Sequence, residues 1–224
     1  AAEAVSQEVF SPTIWWHMTS NGDVVINIAK AEMGQHIGTA LARIVADELE
    51  CDWEKVSIEY VDTHKKWGFM VTGGSWSVFQ SFKPLSQAGA AGRMSLIEAG
   101  AKILGVKPEN ARAEKGRVIS GNKSVSYADI VKKGKFNRTF SADEISALPI
   151  KPANKRHLTG INQDFKALDI PAKTNGTAVY GIDAEVENMV YARPVIPPTH
   201  FGSEVKKVDD SKSKTIDGYL GFEV

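Results

Sequence analysis

The segment from Thr13 to Lys30, TIWWHMTSNGDVVINIAK, alternates apolar and polar positions on either side of a Ser-Asn-Gly-Asp cluster at 20–23. That pattern predicts two strands joined by a tight turn. Beyond it, Ile37, Leu41, Ile44, Val45 and Leu49 recur at helical spacing, with Arg43 and Asp47 on the opposite face at i, i+4. A helix burying one stripe against a sheet is expected. VSIEYVD at 56–62 reads as a strand and KPLSQAGAAGRMSLIEAGAKILG at 83–105 as a second helix. In that helix Pro84 suits the first turn, Gly89 and Gly92 allow close backbone approach, and Gly105 suits the stop. Residues 111–134 then predict a short hairpin turning at Gly121-Asn122 and a short helix capped near Ser126.

From 135 to 160 the chain is polar, carries two prolines and loses its periodicity, which reads as a linker or surface excursion. Strand-like runs resume at 178–183, 189–196, 204–208 and 219–224. They predict a small β-rich module, and the terminal YLGFEV reads as part of a module that further chain completes. The fold class is α+β: an α+β portion over 1–156, then the start of a β-rich module over 157–224.

Composition narrows the function classes. Lys plus Arg equal Asp plus Glu at 27 each, so neither a nucleic-acid footprint nor a polybasic membrane patch is present. No apolar run approaches the ~20 residues of a spanning helix. The only cysteine, Cys51, excludes an internal disulfide and a cysteine metal cluster, and reads as a buried, inert thiol. The five histidines form no i, i+4 pair, so no zinc site is read. Trp15, Trp16 and Trp76 read as packing and rim residues.

Two stretches carry chemistry. Met33-Gly34-Gln35-His36 stands directly before the first helix, where unpaired N–H groups and a partial positive charge favour an anionic or acceptor-rich partner. VTGGSWSVFQS at 71–81 gathers the Thr72, Ser75 and Ser77 hydroxyls around the Gly73-Gly74 amides before a helix, a plausible phosphate cradle. It is neither a Walker loop nor a Gly-x-Gly-x-x-Gly fingerprint. Ser75 has no evident His/Asp partner, which argues against a hydrolase.

Three stretches, IAKAEMGQHIGTALARIVADELECDWEKVSIEYVD, VTGGSWSVFQSFKPLSQAGAAGR and IPAKTNGTAVYGIDAEVENMVYARPVIPP, stand in an order that resembles the opening part of a known polypeptide. It is the large molybdenum-binding subunit of the xanthine oxidase family, of the isoquinoline 1-oxidoreductase beta-subunit type that includes related aldehyde dehydrogenases. The resemblance runs from about residue 13 to 224. It implies that Met33, Gly34, Gln35 and His36 form one contact set for molybdopterin, as the cytosine dinucleotide, and that Thr72, Gly73, Gly74, Ser75 and Ser77 form the other. His36 departs from the family, which usually has Gly there. NGTAVYGID at 175–183 is similar to the start of the family's hammerhead module, so the resemblance implies a portion of the molybdopterin-binding domain over 1–156 and the start of that module over 157–224.

The implied activity is oxidation of an aldehyde or N-heterocycle with water-derived oxygen. The implied partners are the remainder of the molybdenum subunit and a small subunit carrying the iron–sulfur clusters. The family's general base, a glutamate near the end of the full subunit, is not in these 224 residues. Neither Glu32 nor Glu48 replaces it, no catalytic or metal-ligating residue is assigned here, and the chain alone is expected to be inactive. The opening AAEAV resembles what remains after leader cleavage, which makes the periplasm the expected compartment. The competing class is a cofactor-free assembly module of the same fold.

Overall fold

The computed structural model describes residues 9–134, 140–160, 165–199 and 201–224. Strands β1 (Val9–Thr13), β2 (Trp16–Thr19), β3 (Val24–Ile28) and β4 (Val56–Tyr60) form one sheet in that order. The β2–β3 hairpin turns at 20–23 as its residues predict, while β3 and β4 pair in parallel and helix α1 (Ile37–Leu49) makes the crossover between them. The stripe read from the sequence is the buried one: Ile37, Leu41, Ile44, Val45 and Leu49 are each 5% exposed or less.

Helix α2 runs from Trp76 to Leu104, starting two turns before its expected boundary. Pro84 is therefore inside it, where it denies Gln80 a helical hydrogen bond, and not in its first turn. The extra turns were hidden because they face solvent. Phe79 is 82% exposed, and no buried stripe marks them. Further along, Gly89 and Gly92 do bring α2 against α1 and β2. A Cβ on Gly89 would lie 2.6 Å from the Val45 carbonyl oxygen, and one on Gly92 would overlap the Trp16 ring. The Trp16 indole N–H donates to the Ala88 carbonyl at 3.0 Å, locking the same contact. Gly105 ends the helix with φ 69°.

Strands β5 (Arg112–Glu114), β6 (Arg117–Ser120) and β7 (Lys123–Ser126) form a second, antiparallel sheet, followed by α3 (Tyr127–Lys132) with Ser126 as its cap. Cys51 lies in the core, and burial pushes its thiol up to about 12.

The described part of 135–160 runs over the surface as read, but it is anchored there and is no free linker. After α4 (Ala142–Ala147), held by a Ser141–Glu144 capping box, the chain crosses the face of α1 that the periodicity assigned to solvent. Asp47 and Glu48 are fully buried beneath it. Asp47 accepts from the backbone N–H groups of His157, Leu158 and Thr159, from the Thr159 hydroxyl at 2.7 Å, and from Lys151 Nζ at 2.9 Å. Glu48 pairs with Arg156 and Arg93 and accepts the Lys151 backbone N–H at 2.7 Å. Arg43, also assigned to that solvent face, donates to the Leu158 carbonyl at 2.6 Å. The buried acids are thus neutralised by Arg93, 45 positions away, and by Lys151 and Arg156, 104 and 108 away, links that local periodicity cannot carry.

The compact unit extends to Ala178, so the described residues of 157–178, including α5 (Ile170–Asn175), pack with what precedes them. In Val179–Val224 no strand forms among the described residues, in contrast to the β-rich reading. The alternation is there, but its apolar members are bare: Ile182 is 94% exposed and Val195 98%. Strand-like sequence needs a partner strand to become a sheet. No helix among the described residues is long and apolar enough to cross a membrane.

Candidate cofactor site

The two chemical stretches, some 40 residues apart in sequence, are neighbours in space. Ala31 N–H donates to the Thr72 hydroxyl at 2.8 Å, and Lys30 Nζ donates to the carbonyls of Phe69 at 2.8 Å and Val71 at 3.1 Å. Lys30 is 5% exposed, lies over the Phe69 ring, and was missed in the sequence, where a lysine after a strand reads as solvated. A signal was nevertheless present. Val24, Ile26 and Ile28 are the buried face of β3, and Lys30 continues that period of two.

The Met33–His36 turn is occupied by its own chain. Glu32 accepts from the N–H groups of Gly34 (2.7 Å), His36 (3.1 Å) and Ile37 (3.0 Å), so the anionic partner expected at this helix start is supplied by a side chain. Burial alone would raise the Glu32 pKa, but the His36 and Gly34 N–H groups and the nearby Lys173 ammonium outweigh it and hold it low. Gln35 is likewise engaged, taking the Met33 N–H on its carbonyl and giving its amide to the Ala31 carbonyl. What the turn leaves outward is the Met33 side chain, 68% exposed, and the half-exposed His36 ring.

Glu32, His36 and Asp169 converge closely enough to suggest a metal set. The position between the carboxylates is taken by Lys173, whose Nζ lies 2.6 Å from Asp169 and 3.6 Å from Glu32. An ammonium already balances the charge there.

The second loop is more open. Gly74 and Ser75 take consecutive left-handed conformations (φ 57° and 59°), and Ser75 begins α2 without capping it through its side chain. Trp76 N–H turns back to the Gly73 carbonyl at 3.1 Å. A Cβ on Gly73 would meet nothing within 4 Å, so space for a ligand remains over it. Ser77 lies in the first turn of α2, near the positive end of its dipole. These donors fit a phosphate, and they fit it better than the self-satisfied amides of the first turn do.

Residues 3–181, which include both loops, match the family model described as a molybdopterin cofactor-binding domain. The chain belongs to that family. It is 54% identical over 95% of its length to the membrane-bound aldehyde dehydrogenase (pyrroloquinoline-quinone) of Gluconacetobacter polyoxogenes. It is also 28% identical over 93% to the beta chain of isoquinoline 1-oxidoreductase from Brevundimonas diminuta, and 30% over 92% to a nicotinate dehydrogenase subunit of Pseudomonas putida. The chain spans 27%, 31% and 18% of those proteins respectively. Among solved structures, quinoline 2-oxidoreductase from Pseudomonas putida 86 aligns at TM-score 0.40 and 21% identity, over 52% of this chain and 15% of that one. The family match bears out the resemblance carried by the three motifs, and the helices and two sheets of the fold bear out the α+β class.

Proposed function

We propose that this chain is the portion of a molybdenum oxidoreductase subunit that holds one side of molybdopterin, in an enzyme oxidising an aldehyde or an N-heterocycle. The observation carrying the proposal is the Ala31–Thr72 hydrogen bond, which joins two distant loops inside the family's matched region. In this reading the α2 start, with Thr72, Gly73, Gly74, Ser75 and Ser77, takes the phosphates. The Met33–His36 turn, made rigid by Glu32, contributes the His36 ring, the Met33 surface and the one amide hydrogen that Gln35 does not give to Ala31. The cytosine dinucleotide form is proposed on the family resemblance alone; its pyrophosphate would suit a cradle built from amides and hydroxyls.

When bound, molybdenum supplies two-electron redox chemistry, and this chain's residues hold, orient and shield. No group here is placed as a proton-transfer residue. The remainder of the molybdenum polypeptide and an iron–sulfur small subunit are the proposed partners, so the 224-residue chain by itself does not turn over substrate.

The test is the full-length subunit carrying Gln35→Ala and Ser75→Ala together. Each hydrogen bond to a charged group is worth roughly 1.5–3 kcal/mol, so pterin and molybdenum per protein should fall by at least about tenfold while the circular dichroism stays native. Full pterin content in the folded double variant, or a quinone with no pterin in the parent enzyme, would remove the proposal. Absence of both cofactors would favour the assembly module.

A further inference from the structure

A cavity of about 220 Å³ lies where the end of β3, the 67–69 turn and the first turns of α2 meet. Trp15, Trp67, Phe69 and Leu85 form its apolar wall, and Lys30 and Gln80 are among its polar lining. Trp15 and Trp67 are in tilted contact, with ring centroids 5.6 Å apart, so they present one continuous aromatic surface.

The Lys30 ammonium is the unusual member. It has three donors. Two reach the Phe69 and Val71 carbonyls, and the third has no partner among the described residues. Burial lowers its pKa, and no neighbouring carboxylate acts on it to raise it again. Elsewhere in this protein the buried charges are answered by opposite ones, as Asp47 is by Lys151 and Glu48 by Arg156. A cation held by two carbonyls and the face of the Phe69 ring, with no carboxylate opposite it and only 5% exposed on the wall of a cavity, is an incomplete pair.

The geometry points to a binding site for a small aromatic carboxylate, its ring on the Trp15, Trp67 and Phe69 surface and its carboxylate on the Lys30 ammonium. The cavity is smaller than the ~300–1,000 Å³ of drug-sized sites, which suits a single ring. The mainly apolar lining and one cation suit one negative charge better than a phosphate, which calls for several donors. The site adjoins the proposed cofactor cradle through Lys30 and Val71, but neither its ligand nor its aromatic wall depends on molybdopterin.

The probe is benzoate, titrated into the full-length subunit with benzyl alcohol and acetate as the uncharged and ringless comparisons. Benzoate should bind saturably, at least about tenfold more tightly than either comparison, with nuclear Overhauser contacts from its ring to the Trp15 and Trp67 indoles. Lys30→Met should bring benzoate down to the level of benzyl alcohol. Because Lys30 also anchors the 69–71 backbone, the wild-type comparison decides the matter if that variant does not fold. Equal binding of benzoate and benzyl alcohol, ring contacts elsewhere, no saturable benzoate binding, or unchanged affinity in folded Lys30→Met would each overturn the assignment.

Discussion

Asp47→Ala should lower the unfolding free energy by about 3–5 kcal/mol, the range for removing one partner of a buried pair. The carboxylate accepts three backbone N–H groups, one hydroxyl and one ammonium, and all of these donors belong to residues 151–159. Without it, Lys151 keeps Glu50 at 2.6 Å, but the strap over α1 loses its main acceptor. Urea denaturation measures the loss, and hydrogen exchange of 157–159 should rise with it.

The same variant should change the pH dependence. Burial pushes Asp47 upward, but hydrogen bonds from Thr159 and Lys151 outweigh it, so its folded pKa lies below the ordinary value. Its stabilisation is present above the unfolded carboxylate pKa and is lost as pH falls through the depressed folded one. Glu48 has the opposite sign. Burial raises it despite the Lys151 N–H and two arginines, so its contribution is complete below the unfolded pKa and fades as pH rises through the folded one. Wild-type stability should therefore decline in acid more steeply than that of Asp47→Ala. An equally steep acid limb would show that other groups govern it.

Gly92→Ala should be the second severe change. Alanine is the better helix former, so an open site would gain roughly 1 kcal/mol. Here the added methyl would overlap the Trp16 ring, which is fully buried and tied to Ala88. Overpacking of about 1–3 kcal/mol or more should outweigh the propensity gain. Gly105→Ala is the contrast, for its Cβ meets nothing within 4 Å and only its φ of +69° opposes the change. A neutral or stabilising Gly92→Ala would contradict the packing described for α1, α2 and β2.

The elements legible in the sequence are those whose cause is local. The 20–23 turn, the α1 stripe, the Gly105 stop and the Ser126 cap are each set by a few adjacent residues, and each forms as its pattern predicts. Strand β1 was not legible. VFSPT carries a proline, and the strand exists because β2 lies beside it. The burial of Asp47 and Glu48 was hidden because their partners lie 45 to 112 residues downstream. Over 179–224 the alternation misled, since a strand pattern without a partner forms no sheet.

The candidate site divides the same way. Its residue types were readable, and the resemblance grouped the two loops, but the Ala31–Thr72 bond and the buried Lys30 belong to the fold. Nor could spacing show that Glu32 takes the donors at the start of α1, because a glutamate at a helix entry reads equally as solvated.

The decisive measurement is amide hydrogen exchange on the full-length subunit, prepared with cofactor and from a host unable to make molybdopterin. Slower exchange is expected in the loaded protein over 72–79, where the α2 start is proposed to meet the phosphates, with a smaller slowing over 33–37, where Glu32 already holds the amides, and no change over 112–126. Protection confined to other segments, with 72–79 exchanging alike in both preparations, would contradict the proposed cradle.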